Sequence, residues 1–419
     1  MESCPKYLFA WGTPPEPNIT LCAAFNSRKG KNTHGQDPWV LALRQVFEHM
    51  AKHPVGWVSS YQTPVYDLTS CWAQLYRKPL VLVAVPSRTR PVFQEWISYF
   101  PDLKPSWVLS CLPGRAACSP SRYVVCRDRL VAAIAQHFFV LAVRAQGNLA
   151  EVLWDELSFH PKHTWVFPCS KVSSETEGNR KILDSFPHCT QAWPQPSKSG
   201  VSTPKPMHTP ITRRSLSKPS SLQKEALLFH YTRSCPGPWP GQSRCAWAED
   251  LLKAKPWADH TALDTLWHIL SEGRVRASGR LIRHGIPVVS WTRVAPGDLS
   301  KLIRWNPALI RWTFEPYGIA VTKQVLQELG AKPVIYAREE DYAKISAKDR
   351  FRFQLHQPGR ISWKREREWR LPADLFLDEL DPETWWAFVP SHEEACRLQE
   401  NLERPRRIIP LSDLPGEDS

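Results

Sequence analysis

Two short strings carry the residue types best suited to chemistry. Phe229-His230-Tyr231-Thr232 lies in an apolar run, and Arg365-Glu366-Arg367-Glu368-Trp369-Arg370 lies in an alternating stretch that reads as a strand. Residues two apart on a strand project to one face, so Glu366 and Glu368 would stand side by side. Paired carboxylates in a cleft suit the stabilisation of a developing sugar cation and the steering of a nucleophile. Taken alone, His230 reads more readily as a satisfied core or edge histidine. The Glu-Arg-Glu-Trp-Arg run reads equally as a salt-bridged sheet edge.

A chain of 419 residues exceeds what one core ordinarily supports, so two domains are expected. In the first half, near-continuous apolar segments at 19–25, 55–59, 80–85, 107–110, 138–143 and 164–167 alternate with amphipathic stretches. Those stretches, at 39–52, 68–77, 90–100, 128–137 and 149–157, read as helices. This pattern predicts an α/β domain over 1–170 with a doubly wound parallel sheet and a ligand crevice at the strands' C-terminal ends. Three loops fall at that edge: Asn26-Ser27-Arg28, Ser59-Ser60-Tyr61 followed by Asp67, and Arg144-Ala145-Gln146-Gly147-Asn148 opening a helix. Backbone N–H groups at a helix N-terminus hold anions, so these loops suit a phosphate, while Asp67 would cap the next helix or touch a ribose.

Residues 171–225 are rich in Ser, Pro, Thr and Lys and read as a flexible basic linker, unable to bury enough apolar area to fold. From 226 to 419 the pattern changes to shorter strands with irregular connections, which predicts an α+β domain with a largely antiparallel sheet. Its strands are expected around His230 and at 287–292, 310–315, 318–321, 333–336, 367–371 and 385–389. Helices are expected at 263–272, stopped by Gly273, after Thr322 up to Gly330, and after Ser391, which forms a capping box with Glu394.

The formal charge of +13 favours an anionic partner such as nucleic acid or a nucleotide, though a solvated basic surface would carry it as well. The eleven cysteines include no CxxC pair. Cys111, Cys118 and Cys126 match no common metal spacing, so reduced, packed thiols and no metal are expected. No apolar run approaches a membrane span and the first residues lack a signal-peptide pattern, which predicts a cytoplasmic protein without a membrane partner.

The first half resembles the SLOG superfamily, which groups the DNA-processing protein A family with Lonely-Guy-type nucleotide-binding proteins. The resemblance is carried by Asn26-Ser27-Arg28, the block from Val58 to Ala73 (VSSYQTPVYDLTSCWA), Arg127-Asp128-Arg129 leading to Val140-Leu141-Ala142-Val143, and Gly147-Asn148-Leu149. It implies a nucleotide or nucleic-acid ligand held by Asn26, Ser27, Arg28, Ser59, Ser60, Asp67, Arg127, Arg144, Gly147 and Asn148. The Gly-Gly pair associated with phosphoribohydrolases is absent, and the Ser-Gly-Gly of DNA processors reads Ser59-Ser60-Tyr61. Arg127, Arg144 and Glu151 are then either a hydrolytic remnant or helix-capping and surface charges.

The second half resembles ADP-ribosyltransferase-type folds, particularly the bacterial AbiGi-like abortive-infection group. The carrying residues are His230-Tyr231-Thr232, Ile269-Leu270 with Gly273 and Ala277-Ser278, Val289-Ser290-Trp291-Thr292, the runs from Tyr317 and from Gly330, and Trp363 through Arg370. The resemblance implies NAD as substrate and a macromolecular ADP-ribose acceptor. His230 would bond the nicotinamide ribose, Ser290 would shape the nicotinamide pocket, and Glu368, assisted by Glu366, would stabilise the oxocarbenium-like ribose. Tyr231 or Tyr317 would stack on nicotinamide. The whole chain then reads as a two-module defence effector in which the first domain senses a nucleotide or DNA and regulates the second. The alternatives are a non-catalytic single-stranded-DNA-binding protein and, more weakly, a nucleotide phosphoribohydrolase.

Overall fold

The computed structural model describes residues 7–27, 33–84, 92–112, 120–168, 174, 176–194, 227–279, 282–301, 303, 305–306, 311–312, 314–356 and 363–413. The chain divides into two compact units, Met1–His208 with Gly237–Asp259, and Thr209–Pro236 with His260–Ser419.

The first unit is built on β1 (Tyr7–Gly12), β2 (Thr20–Asn26), β3 (Val55–Ser59), β4 (Leu80–Ala84), β5 (Trp107–Leu112), β6 (His137–Ala142), β7 (His163–Val166) and β8 (Thr190–Ala192). They form one sheet in the order β1-β5-β4-β3-β2-β6-β7-β8. Only β1, on the edge beside β5, runs antiparallel. Between the strands lie α1 (Pro38–Met50), α2 (Pro64–Leu75), α3 (Val92–Tyr99), α4 (Pro120–Ile134), α5 (Asn148–Phe159) and α6 (Glu177–Ser185). Strands β3 and β4 are buried at every position, which is why they read as unbroken apolar runs: helices cover both sheet faces. Phe47 of α1 stacks on Trp57 of β3 with ring centroids 4.1 Å apart and meets Trp72 of α2 edge-on.

Two boundaries differ from the sequence expectation. The linker expected from 171 contains α6 and β8, and Ile182, Phe186 and Trp193 are buried in the first core. Asn179 holds this extension in place. Its amide donates to the carbonyls of Leu141 and Phe167, both at 2.9 Å, and accepts from the Val143 N–H at 2.8 Å. Apolar residues so sparse among polar ones give little periodic signal. The expected boundary at 226 is crossed as well. Helix α7 (Arg244–Leu252) packs Cys245, Trp247, Ala248 and Leu251 into the first unit's core. An amphipathic helix does not announce which core it will join.

The second unit centres on β9 (Leu227–Tyr231), β10 (Val289–Thr292), β11 (Gly318–Thr322), β12 (Lys332–Pro333), β13 (Glu368–Leu371), β14 (Trp385–Val389) and β15 (Ile408–Pro410), with α8 (Ala262–Glu272), α9 (Lys323–Glu328) and α10 (His392–Glu400). The sheet order is β12-β13-β10-β9-β11-β14-β15. All neighbours are antiparallel except β14 and β15. The pleat divides the core. Leu228, Trp291, Ile319 and Trp369 face Leu266 and Leu270 of α8, while Phe229, Tyr231, Ala320 and Phe388 pack with Phe314 on the other side. Helix α8 is bounded by a capping box between Thr261 and Asp264 and by Gly273 in the left-handed conformation at φ +64°.

Candidate functional site

In the first unit, the described residues at the end of β3 are held by internal hydrogen bonds. The Ser59 hydroxyl donates to the Tyr66 carbonyl (3.0 Å) and the Ser60 hydroxyl to the Val83 carbonyl (2.6 Å), and both side chains are fully buried. They fix the turn into α2. Asp67 is buried too. It accepts from the Gln62 N–H (2.9 Å) and the Tyr99 hydroxyl (2.6 Å), and Arg244 of α7 lies 3.6 Å away. Burial pushes its carboxyl up to about 6, with Tyr99, Arg244 and the Gln62 N–H drawing it back. Arg127, expected on a phosphate, is 5% exposed and forks onto Asp128 (2.8 and 2.9 Å), which also accepts from the Tyr66 hydroxyl at 3.0 Å. Ser59, Ser60, Asp67 and Arg127 are therefore buried and held by internal hydrogen bonds.

Another part of the strands' C-terminal edge lies beside β2 and β6. The Ser27 hydroxyl accepts from the Arg144 N–H at 3.0 Å, which ties the loop after β2 to the loop after β6. That second loop, with Arg144, Gly147 and Asn148 exposed, leads into α5. Gly147 is the helix N-cap at φ +112°, supplies no side-chain cap, and has open space where a side chain would stand. Asn26, paired with Ala142 of β6, is 9% exposed, donates through its amide to the Ser27 carbonyl, and keeps a buried Oδ1 without a partner among the described residues. Arg28 lies outside the described residues.

In the second unit, β9 and β10 share a single register position, Thr292 opposite Phe229, whereas β9 continues along β11 and β10 along β13. The two strands part beyond that position, and Ser290 lies between His230 and Glu368 there. His230 Nδ1 donates to the Ser290 main-chain carbonyl at 2.9 Å, taking the place of a ladder hydrogen bond. A carbonyl only accepts, so the proton sits on Nδ1 and Nε2 is left as an acceptor. Burial pushes the imidazole down to about 4, against the Ser290 carbonyl and with Arg233 adding to the fall, so the ring is neutral. The Ser290 hydroxyl donates to Glu368 Oε1 at 2.9 Å.

Arg370, 2% exposed, clamps Glu368. Its Nε reaches Oε1 at 2.9 Å and its Nη2 reaches Oε2 at 3.3 Å. Its remaining donors go to the carbonyls of Phe351 and Phe353 and to Gln354 Oε1. A chain of hydrogen bonds thus runs from His230 through Ser290 and Glu368 to Arg370 across three neighbouring strands. Oε2, with only the longer contact, is the less committed carboxylate oxygen.

This arrangement corrects the sequence expectation in three respects. Glu366 does not share a strand with Glu368. It ends the short turn Trp363–Glu366, and Arg367 at φ +45° breaks the alternation before β13 begins. His230 shares the pleat face of Leu228, while Thr292 and Phe229 share that of Glu368, so the imidazole joins the chain only through the Ser290 carbonyl. Tyr231 is a core aromatic: its ring packs on Phe314 and Phe388 at centroid distances of 5.4 and 5.3 Å, and its hydroxyl donates to the Val294 carbonyl. Tyr317 donates to Glu394 Oε1 at 2.6 Å, binding β11 to α10.

No protein-family profile and no curated protein matches this chain. Among solved structures it is similar to DNA processing protein A from Streptococcus pneumoniae, with 11% identity over 44% of this chain and 62% of that one and a TM-score of 0.35. A second is DNA processing protein A from Helicobacter pylori, described with a single-stranded DNA binding mode (15% identity, 46% of this chain, 84% of that one, TM-score 0.33). A third is the molybdenum cofactor carrier protein from Chlamydomonas reinhardtii (9% identity, 42% of this chain, 91% of that one, TM-score 0.29). The match spans less than two thirds of the S. pneumoniae protein. Similarities of this size establish neither ligand nor activity.

Two participants escaped the sequence reading. Arg370 was legible in principle, since a residue two beyond Glu368 on a strand shares its face. Tyr336 was not: its hydroxyl accepts from the Glu368 N–H at 3.4 Å across a long connection. Burial pushes that phenol up to about 12, the Glu368 N–H draws it back, and the charges of Glu368 and Glu366 raise it further. Among the described residues no cluster of three His, Cys, Asp or Glu side chains could hold a metal, and no helix is long and apolar enough to cross a membrane.

Proposed function

We propose that the second unit is an ADP-ribosyltransferase-like domain that cleaves the nicotinamide–ribose bond of NAD at the fork between β9 and β10. The observation that carries this reading is the Ser290–Glu368 hydrogen bond with Arg370 behind it. As the C1′–nitrogen bond breaks, its electrons leave with nicotinamide and positive charge grows on the ribose. Glu368, oriented by Arg370 and Ser290, offers Oε2 to that charge. Water or a macromolecular acceptor then attacks C1′, and neutral His230, on the other pleat face, holds the Ser290 main chain through its Nδ1–H. The test is nicotinamide release by the full-length protein. Glu368→Gln should slow it by about 10²- to 10³-fold with the fold retained by circular dichroism, the scale of one lost electrostatic group. Because Gln leaves Arg370 without its anion, Ser290→Ala serves as a second variant that keeps the ion pair and should also slow release. Undiminished turnover in both would refute the assignment.

The first unit reads as a nucleotide- or nucleic-acid-binding module. The α5 N-terminus calls for an anion, whereas Asn26 Oδ1 calls for a donor such as a ribose hydroxyl or base N–H. A nucleotide supplies both, and bare phosphate only one. In the two-module reading, occupancy of this edge governs the NAD-consuming unit in a defence effector. Binding of a labelled mononucleotide and of a single-stranded oligonucleotide, each titrated against salt, tests it. Oligonucleotide affinity that falls steeply with salt favours the nucleic-acid ligand. Asn26→Leu should weaken whichever binds, and absence of binding to either would remove this module's role.

A further inference from the structure

We propose that Cys71 and Cys245 form a reversible disulfide that fixes the segment Gly237–Asp259 to helix α2. The two sulfurs lie 2.7 Å apart although their residues are separated by 174 positions. Both are buried, at 1% and 8% exposure, in the seam between α2 and α7. A covalent S–S bond is about 2.05 Å long, so closing the pair needs only a small approach of two helices already in register. That register is set on both sides of the pair. Trp72 Nε1 donates to the Ala248 carbonyl at 2.7 Å, Arg44 donates to the Leu251 carbonyl at 2.7 Å, and Arg244 faces Asp67 at 3.6 Å while stacking over the Tyr99 ring. Two cysteines brought together by these contacts, from opposite sides of a long basic stretch of chain, make a cross-link where the chain returns to the first unit.

Closure removes two protons and two electrons from the thiols. A small-molecule disulfide such as oxidised glutathione accepts them: one thiolate attacks its S–S bond and releases one glutathione, and the second cysteine displaces the other. Burial, then the neighbouring Cys245, pushes the Cys71 thiol up, so the docked pair reacts slowly and exchange proceeds when α7 lifts from α2. Once formed, the bond holds α7 in place, and reduction frees it.

The experiment treats the full-length protein with oxidised glutathione, quenches in acid, alkylates under denaturing conditions and maps proteolytic peptides by mass spectrometry. The expected product is a dithiothreitol-sensitive peptide pair joining residues 71 and 245, with a loss of two hydrogens per chain. The unfolding midpoint of the first unit should rise by roughly 5–15 °C on oxidation, as expected for closing a long loop. Cys71→Ser and Cys245→Ser should each abolish that rise. Recovery of both cysteines alkylated or glutathione-capped, or linkage of either to a different cysteine, overturns the proposal, and the peptide map reads this in the unaltered protein without relying on the variants folding.

Discussion

Asp67 and His230 show how burial sets opposite pH responses in the two units. The Asp67 carboxyl, held up near 6, binds its proton more tightly folded than unfolded. Its contribution to stability therefore falls as pH rises from about 4 to about 6, by at most about 3 kcal/mol. Asp67→Asn should flatten that slope for the first unit, measured as denaturant midpoints across the interval, and an unchanged slope would show that Asp67 does not titrate there. His230 behaves in the reverse sense. Its imidazole is pushed down to about 4, so the unfolded chain takes the proton first and stability is lost as pH falls from about 6.5 towards 4. His230→Gln, which retains an N–H donor for the Ser290 carbonyl but does not titrate, should hold the second unit's stability level through that window.

The strand that bears His230 is positioned by a close approach of backbones. At Gly318, on β11, a methyl group would overlap the His230 carbonyl and the Phe388 ring. Gly318→Ala should therefore spread β9 from β11, destabilise the second unit by about 1–3 kcal/mol and slow nicotinamide release. Thr261→Ala removes the α8 cap and should cost about 1 kcal/mol in the same unfolding assay. The strands of the first sheet were legible because burial on both faces leaves apolar runs such as Val55–Ser59 and Leu80–Ala84. The strand positions of Ser290 and Glu368 were legible because β10 and β13 alternate. Glu366 was misread because a single positive φ at Arg367 resets the alternation, and sequence period carries no trace of it. Arg244 was invisible as a partner of Asp67 because the contact spans the whole basic stretch.

At the scale of the whole molecule, the path of the chain matters more than its length. It leaves the first unit, contributes β9 to the second, returns as Gly237–Asp259 and departs again. A fragment of residues 1–208 lacks α7 and should expose Trp72 and its neighbours. The same fragment rejoined to 237–259 through a Gly/Ser spacer should recover a higher unfolding midpoint and a monodisperse profile on size exclusion, and equal behaviour of the two would contradict the role of α7. This path also restricts how such a gene can be rearranged. Recombination at the basic stretch would move the strand bearing His230 to a new neighbour but would strip a helix from the donor's core. Only an exchange with three breakpoints, after 208, 236 and 259, could shuffle these modules intact, so their pairing should be inherited as a block.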